Sequence, residues 1–494
     1  MRYLEILKER YQLIIRYIGI LIMGVAIFLL LPLLSLPFYP EEIKYSYAFL
    51  VPAIIIFIIG YIAWKYTRHN REDVSLSLKE GGIIVLFSWV VAVIASALPF
   101  MMIDMLNFTQ AIFESMSGWT TTGLSVVDVT KTPKLILLWR SIMQFLGGAG
   151  LVVVMLSSVL HPYGFGLYNA EGRSDQLLPH IKRSTKAIMI IYSGYTVGGI
   201  ILYALAGMTI FDAFNHSLAA LSTGGFSTKA NSIGHYNSLS IEVVTWILML
   251  IGTTNFATHY ALLKGKIKVF FKNGEIRLLM LLNAVFIPIL IYFSINNLYD
   301  KLPNVLRRAI FETITAISTT GFSLDTFNTW NLFGILLIII LMLIGGGTGS
   351  TAGGIKLYRI YLIFKSIYWE IKGYFLPEDV VRKNYIWRGE KRLAVKPEFV
   401  MEAANYFVLY MFTYFLGVLI FLSQGYNLSD SMFEFASALG TVGLSVGITS
   451  SEAPSIILWT ETLGMFLGRL EFFVIFFAVI KIFKDMKYYY SNNS

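Results

Sequence analysis

The chain has 494 residues, no cysteine, 56% hydrophobic and 14% charged residues and a net charge of +9, with a mean hydropathy of +0.67. These values exclude an ordinary soluble domain, a disulfide framework and a thiolate metal site. The positive balance needs no nucleic acid, because basic loops held against an anionic leaflet account for it, with membrane lipids as the partner.

Apolar stretches long enough to cross a hydrocarbon core of ~30 Å are predicted, in chain order, at 13–36, 47–65, 80–103, 134–160 and 186–208. The second half adds 240–263, 278–297, 331–364, 400–423 and 455–483, ten in all. The first follows Arg10 and Arg16 and has no small-residue cleavage site, so it reads as an anchor. Ten spans put both termini on one side, and that side collects 30 of the 39 Lys and Arg residues. The other side receives Lys44, Lys131, Lys134, Arg140, Lys229, Lys301, Arg307 and Arg308, while Arg469 falls inside the last apolar segment. This bias predicts cytoplasmic termini in a multi-pass protein of the cytoplasmic (inner) membrane.

Between the spans lie four short stretches that align without gaps: FESMSGWTTTGLS from Phe113, NHSLAALSTGGFS from Asn215, FETITAISTTGFS from Phe311 and FEFASALGTVGLS from Phe433. Their shared glycines are Gly123, Gly225, Gly321 and Gly443, and 24 to 27 residues later each following span carries another, Gly147, Gly252, Gly345 and Gly468. An internal repeat of this kind predicts an all-α membrane protein: an N-terminal transmembrane hairpin (1–70) and four pseudo-symmetric helix, pore-loop, helix repeats around one central pore. The repeats are bounded at 71–172, 173–272, 273–385 and 386–494.

A monovalent cation leaving water needs its hydration oxygens replaced, and rings of backbone carbonyls do this where the backbone turns them inward. Glycine reaches the φ > 0 conformations that such a turn requires. The candidate filter is therefore Thr121, Thr122 and Gly123; Thr223, Gly224 and Gly225; Thr319, Thr320 and Gly321; and Thr441, Val442 and Gly443, the last triplet matching the start of the potassium-channel filter sequence. The segments ahead of these glycines read as short helices whose C-terminal dipole ends face the pore centre and favour a cation. Glu114, Glu312 and Glu434 share one position in them, with His216 in repeat two, where a helix-dipole role is expected ahead of cation attraction.

These loops, with the glycine run from Gly345 and with Arg469, resemble the Trk/Ktr/HKT superfamily of potassium transporters over essentially the whole chain. The leading hairpin and Asn255-Phe256-Ala257-Thr258-His259 are similar to the bacterial and archaeal Trk branch. The resemblance implies a homodimer with one pore per protomer and a cytoplasmic nucleotide-binding regulatory subunit, a TrkA-like ring, absent from this sequence. It implies potassium as the transported ion and no cofactor bound by this chain. Glycine at all four filter positions goes with potassium selectivity in the superfamily; Gly224 and Val442, where repeats one and three have Thr, are the departures.

Two features point to gating. Gly345, Gly346, Gly347, Gly349, Gly353 and Gly354 put six glycines into ten residues, at about 1 kcal/mol each against alanine. Asn331 to Ser366 as one helix would be about 54 Å long, so an interruption is expected at this run, with Lys356 anchoring a closed form through backbone carbonyls or a facing acid. Gly347 to Ala352 also matches GxGxxA, but no βαβ unit surrounds it, and no Lys follows Gly349 as a P-loop needs. Arg469 within a span costs about 2.5–3.5 kcal/mol on insertion scales, so it is expected to face a cavity or pair with Glu461 or Glu471. Just below the filter, at ~6 Å and an effective dielectric of ~20, it would oppose a pore cation by about 3 kcal/mol.

His69, His161, His180, His216, His235 and His259 are scattered without HExxH spacing, which argues against a resident metal, and His259 reads as a packing or pore-wall residue. A membrane enzyme would show an interfacial His/Asp/Glu constellation, and none is visible. The leading expectation is potassium uptake through a gated filter, with a symporter coupled to sodium or protons as the alternative.

Overall fold

The computed structural model describes residues 2–67, 77–150, 181–299, 301–377, 383–388 and 391–491. The end of the fourth expected span, residues 151–160, lies outside them, as do His69, His161 and His180.

The chain folds almost entirely into helices. The leading hairpin pairs α1 (Arg2–Leu29) with α2 (Tyr47–Tyr66) through two 3-10 turns, each opened by a proline, so the first helix ends earlier than its apolar run. Repeat one consists of α3 (Leu78–Met102), the short α4 (Phe108–Trp119) and α5 (Lys134–Ala149). Repeat two has α6 (Ile181–Leu205), α7 (Ile210–Leu221), α8 (Leu239–Thr253) and α9 (Phe256–Leu263), followed by α10 (Ile267–Lys272). Repeat three has α11 (Gly274–Phe293), α12 (Leu302–Ser318), α13 (Leu332–Ile344) and α14 (Leu357–Gly373). A small antiparallel hairpin, β1 (Tyr385–Arg388) with β2 (Lys391–Ala394), pairs Tyr385 with Ala394. Repeat four is α15 (Pro397–Ser423), α16 (Leu428–Gly440), α17 (Ser455–Leu470) and α18 (Phe472–Ser491).

The short helices α4, α7, α12 and α16 have 12, 12, 17 and 13 residues, about 18 to 26 Å, too short to cross ~30 Å of hydrocarbon. Three begin on side-chain caps: Asn107, Thr209 and Asn427 accept from the backbone N–H of Gln110, Asp212 and Asp430. Each packs against the helix before it and the helix after it in its own repeat, and also against the helix that follows the short helix of the preceding repeat. That second set of contacts runs α5 to α7, α8 to α12, α13 to α16 and α17 back to α4, closing a ring. Aromatic side chains such as Trp119, Trp139 and Phe433 fill the core between the layers. Ile54, Phe412 and Leu419 point outward, more than half exposed, as a lipid-facing surface requires.

Among the described residues, six helices are long and apolar enough to cross a membrane, and eight spans result if each bent pair counts once. Both bends depart from the continuous spans expected at 240–263 and 455–483. The first, 108°, falls at Thr254–Asn255, where the Asn255 side chain accepts from Ala257 N–H and restarts the chain as α9. The second, 100°, falls at Glu471, which takes φ +63° and whose carboxylate holds Arg359 of α14 at 2.5 Å. The expected break in 331–364 is present: α13 stops at Ile344, and Gly345 to Lys356 run as a nonhelical loop to α14.

Candidate functional site

The four candidate filter stretches share one backbone geometry. Each short helix ends on a threonine in the left-handed region, Thr121, Thr223, Thr319 and Thr441, with φ of 52–55°. For a β-branched residue this is a strained conformation costing of order 1–3 kcal/mol, and it recurs four times. The next residue turns its N–H back into the short helix, from Thr122 to Ser117 O, Gly224 to Ala219 O, Thr320 to Thr315 O and Val442 to Ser437 O, at 2.8–3.0 Å. With the N–H groups spent backward, the carbonyls are left for the axis. Gly123, Gly225, Gly321 and Gly443 follow at φ of +73° to +98°.

These carbonyls and glycines touch in a closed cycle. A Cβ on Gly123 would overlap Gly224 O, one on Gly225 would overlap Thr320 O, one on Gly321 Val442 O, and one on Gly443 Thr122 O. Eight of the twelve expected filter residues therefore lie in one closed cycle, and Thr121, Thr223, Thr319 and Thr441 each stand one residue ahead of it in the chain. Glycine is required for this close approach as well as for the positive φ. The second set of aligned glycines serves the same packing: a Cβ on Gly147, Gly252 or Gly468 would run into the carbonyl of Trp119, Leu221 or Leu439 at the end of the short helix. Gly345 differs, meeting Gly353 of its own loop.

The shared glutamates hold the strand that leaves the ring, a role beyond the helix-dipole effect expected of them. Glu114 accepts from Val126 N–H at 3.0 Å, Glu312 from Leu324 N–H at 2.8 Å and Glu434 from Val446 N–H at 2.9 Å, each twelve residues downstream. His216 reaches Ser227 Oγ at 2.9 Å in repeat two. Arg140, sorted with the outer loops by charge, is instead buried inside α5, 2% exposed, and pairs with Glu114 at 2.7 Å. Replacing Arg140 with Met should destabilise the protein by about 3–5 kcal/mol, because it leaves the Glu114 charge buried without a partner. Thermal unfolding in detergent should show a lower midpoint, partly restored by adding Glu114→Gln. An unchanged midpoint would mean Glu114 does not rely on Arg140.

The loop from Gly345 to Lys356 lies against the ring and is hydrogen-bonded to repeats two and three and to Arg469 of repeat four. Gly347 N–H and Thr351 N–H donate to Thr253 O and Gly252 O at 3.0 and 3.1 Å, and Phe256 N–H donates to Gly349 O at 3.2 Å. Asn255 Nδ2 donates to Thr348 O at 2.5 Å, so the break between α8 and α9 is where the loop docks. Gly353 N–H donates to Thr319 Oγ1 at 2.7 Å, and Thr223 Oγ1 donates to Thr351 Oγ1 at 3.2 Å, which ties the loop to two filter threonines. A Cβ on Gly353 would overlap Thr441 Oγ1 of a third. Lys356 takes φ +85° and its Nζ donates to Ala352 O, a backbone carbonyl rather than an acid.

Arg469 bridges the loop to repeat one, donating to Thr351 O and to Gly147 O at 2.6 Å each. The acids expected as its ion-pair partners are engaged elsewhere: Glu471 with Arg359, and Glu461 with Thr449 Oγ1 at 2.8 Å. His259 accepts a packing role: its ring lies 2.9 Å from Ile251 O and packs against Tyr195. Among the described residues no group of His, Asp or Glu is arranged to hold a metal.

Two site residues escaped the reading of the sequence, Arg140 and Gln144, whose Nε2 donates to Gly224 O at 2.5 Å. A signal for both was present in the repeat alignment. Seven residues before the second shared glycine the repeats carry Arg140, Thr245, Ile338 and Glu461, and three before it Gln144, Met249, Met342 and Met465.

Comparison with known proteins agrees with this architecture. The TrkH family, described as cation transport proteins, matches residues 46–489. An uncharacterised cation transporter of Methanocaldococcus jannaschii is 32% identical over 491 residues, covering 97% of this chain and 98% of its own. The Trk system potassium uptake protein TrkH of Salmonella typhimurium is 31% identical over 482 residues, covering 94% and 97%. The crystal structure of the potassium transporter TrkH from Vibrio parahaemolyticus superposes with a TM-score of 0.83 at 27% identity, covering 95% of this chain and 98% of that one. The chain is a multi-pass, almost entirely helical membrane protein and belongs to the TrkH family of cation transport proteins.

Proposed function

We propose that the chain takes up potassium across the cytoplasmic membrane through the four-repeat ring, with Gly345 to Lys356 and Arg469 as its gate. The observation that carries this reading is the cycle of glycine-to-carbonyl contacts through Gly123, Gly225, Gly321 and Gly443. Rings of carbonyls aimed at one axis replace the hydration shell of a monovalent cation. The Thr121 and Thr441 hydroxyls, buried and without a protein hydrogen-bond partner among the described residues, offer further oxygens at the lower mouth. The uptake role named for the Salmonella relative supports potassium as the cargo, and in this reading the chain holds no cofactor of its own.

Both termini face the cytoplasm, as the charge sorting requires. The working unit is a homodimer with a pore in each copy, and a cytoplasmic nucleotide-binding ring biases the loop between closed and withdrawn positions. Such a loop suits a two-state switch, because its hydrogen bonds run to several elements and can be exchanged together.

Potassium flux into proteoliposomes under a voltage alone, with no sodium or proton gradient, tests the reading. Flux that follows the voltage supports a conduit; flux that appears only with an imposed sodium or proton gradient supports coupled symport.

Arg469→Ala should raise potassium flux, by up to about a hundredfold if the whole opposition of about 3 kcal/mol is lifted, because it removes a charge that opposes a cation beneath the ring. Arg469→Gln, which keeps a donor for Thr351 O without the charge, should raise it too. Unchanged flux in both folded variants would confine Arg469 to a structural role.

A further inference from the structure

Gln144 is fully buried in α5, three residues before Gly147. The same position in the other repeats is held by Met249, Met342 and Met465, each fully buried as well. One ring position is also exceptional: Thr122, Thr320 and Val442 carry side chains and Gly224 does not. The two exceptions meet, since a Cβ on Gly224 would overlap the Gln144 amide. Where the second repeat gives up a filter side chain, a polar amide from the preceding repeat takes its room.

The amide holds the filter strand on both sides of Gly225. Its Nε2 donates to Gly224 O at 2.5 Å, and its Oε1 accepts from Phe226 N–H at 3.1 Å. Among the described residues the carbonyls of Thr122, Thr320 and Val442 accept no hydrogen bond. A carbonyl that shares its lone pairs with an amide donor presents a weaker field to an ion and turns less freely toward it. Methionine at this position can do neither.

We propose that Gln144 is a specificity-determining positioning residue that sets the field and orientation of the Gly224 carbonyl and makes the ring asymmetric. This inference rests on the reading of the ring as a potassium filter. Potassium and sodium permeabilities from reversal potentials in reconstituted bilayers test it. If the unmodified protein shows no preference between the ions, the filter reading fails first.

Given a selective parent, Gln144→Met should change the permeability ratio by about fivefold, the scale of one hydrogen bond. Met342→Leu at the equivalent position of repeat three should leave it within about twofold. The double variant Gln144→Met with Gly224→Thr, which supplies the methionine of repeats two to four and the threonine of repeats one and three, should recover most of the change. A monodisperse Gln144→Met protein with the parental ratio, or with reduced flux at the parental ratio, overturns the proposal. If Gln144→Met does not fold, Gln144→Leu, apolar and of similar volume, removes both amide bonds. A parental ratio in that variant overturns the proposal equally.

Discussion

Deleting Thr348 to Ala352 is expected to raise basal potassium flux by about a hundredfold if the resting protein is closed at about 99:1, while the potassium over sodium preference stays as it was. The deleted residues carry the contacts that hold the loop against the ring. Thr351 alone reaches Leu221 O at 3.1 Å and Gly252 O at 2.9 Å through its hydroxyl, and receives Arg469 on its carbonyl. Ala352 supplies the carbonyl that Lys356 grips. None of the five residues provides a ring carbonyl, so selectivity has no reason to change. Flux measured with and without a cytoplasmic regulator should show high basal activity and weak regulation. A deletion that alters selectivity and leaves basal flux and regulation untouched would assign the loop to the filter instead.

Gly123→Ser is expected to lower the potassium to sodium permeability ratio by about tenfold or more, since it disturbs one quarter of the ring proposed to replace hydration oxygens. Gly123 stands at φ +98°, where a side chain is strained, and its Cβ direction is filled by the Gly224 carbonyl. The serine must push that oxygen outward, which widens the ring on the side already held by Gln144. Reversal potentials under bi-ionic conditions read the effect. A parental ratio in a well-folded variant would remove Gly123 from the filter.

The long apolar helices and the close packing of the four glycine loops were legible because both leave periodic traces in one dimension. A run near twenty apolar residues is a local property, and four gapless loops with glycine in register are visible without knowing their neighbours in space. The break after Ile344 was legible for a related reason, since six glycines in ten residues make a continuous helix costly. The bends at Asn255 and Glu471 were not, because each rests on a tertiary bond: Asn255 to Thr348, Glu471 to Arg359. Averaged over a span, hydropathy stays high through both.

The supports behind the filter were hidden by topology. Each inner helix packs against the short helix of the next repeat, so Gln144 meets Gly224 eighty residues away, and spacing within a repeat cannot reveal it. Glu114, Glu312 and Glu434 were found by alignment but assigned to the helix dipole, because their true partners lie on the strand after the glycine. Arg140 was counted as a loop charge for want of that same partner.

Anomalous diffraction from crystals grown in rubidium locates the bound cation. A peak is expected on the axis bounded by the carbonyls of Thr122, Gly224, Thr320 and Val442, lost when sodium replaces rubidium. Rubidium bound elsewhere in the protein, with no peak inside that ring, would contradict the reading of the ring as a filter.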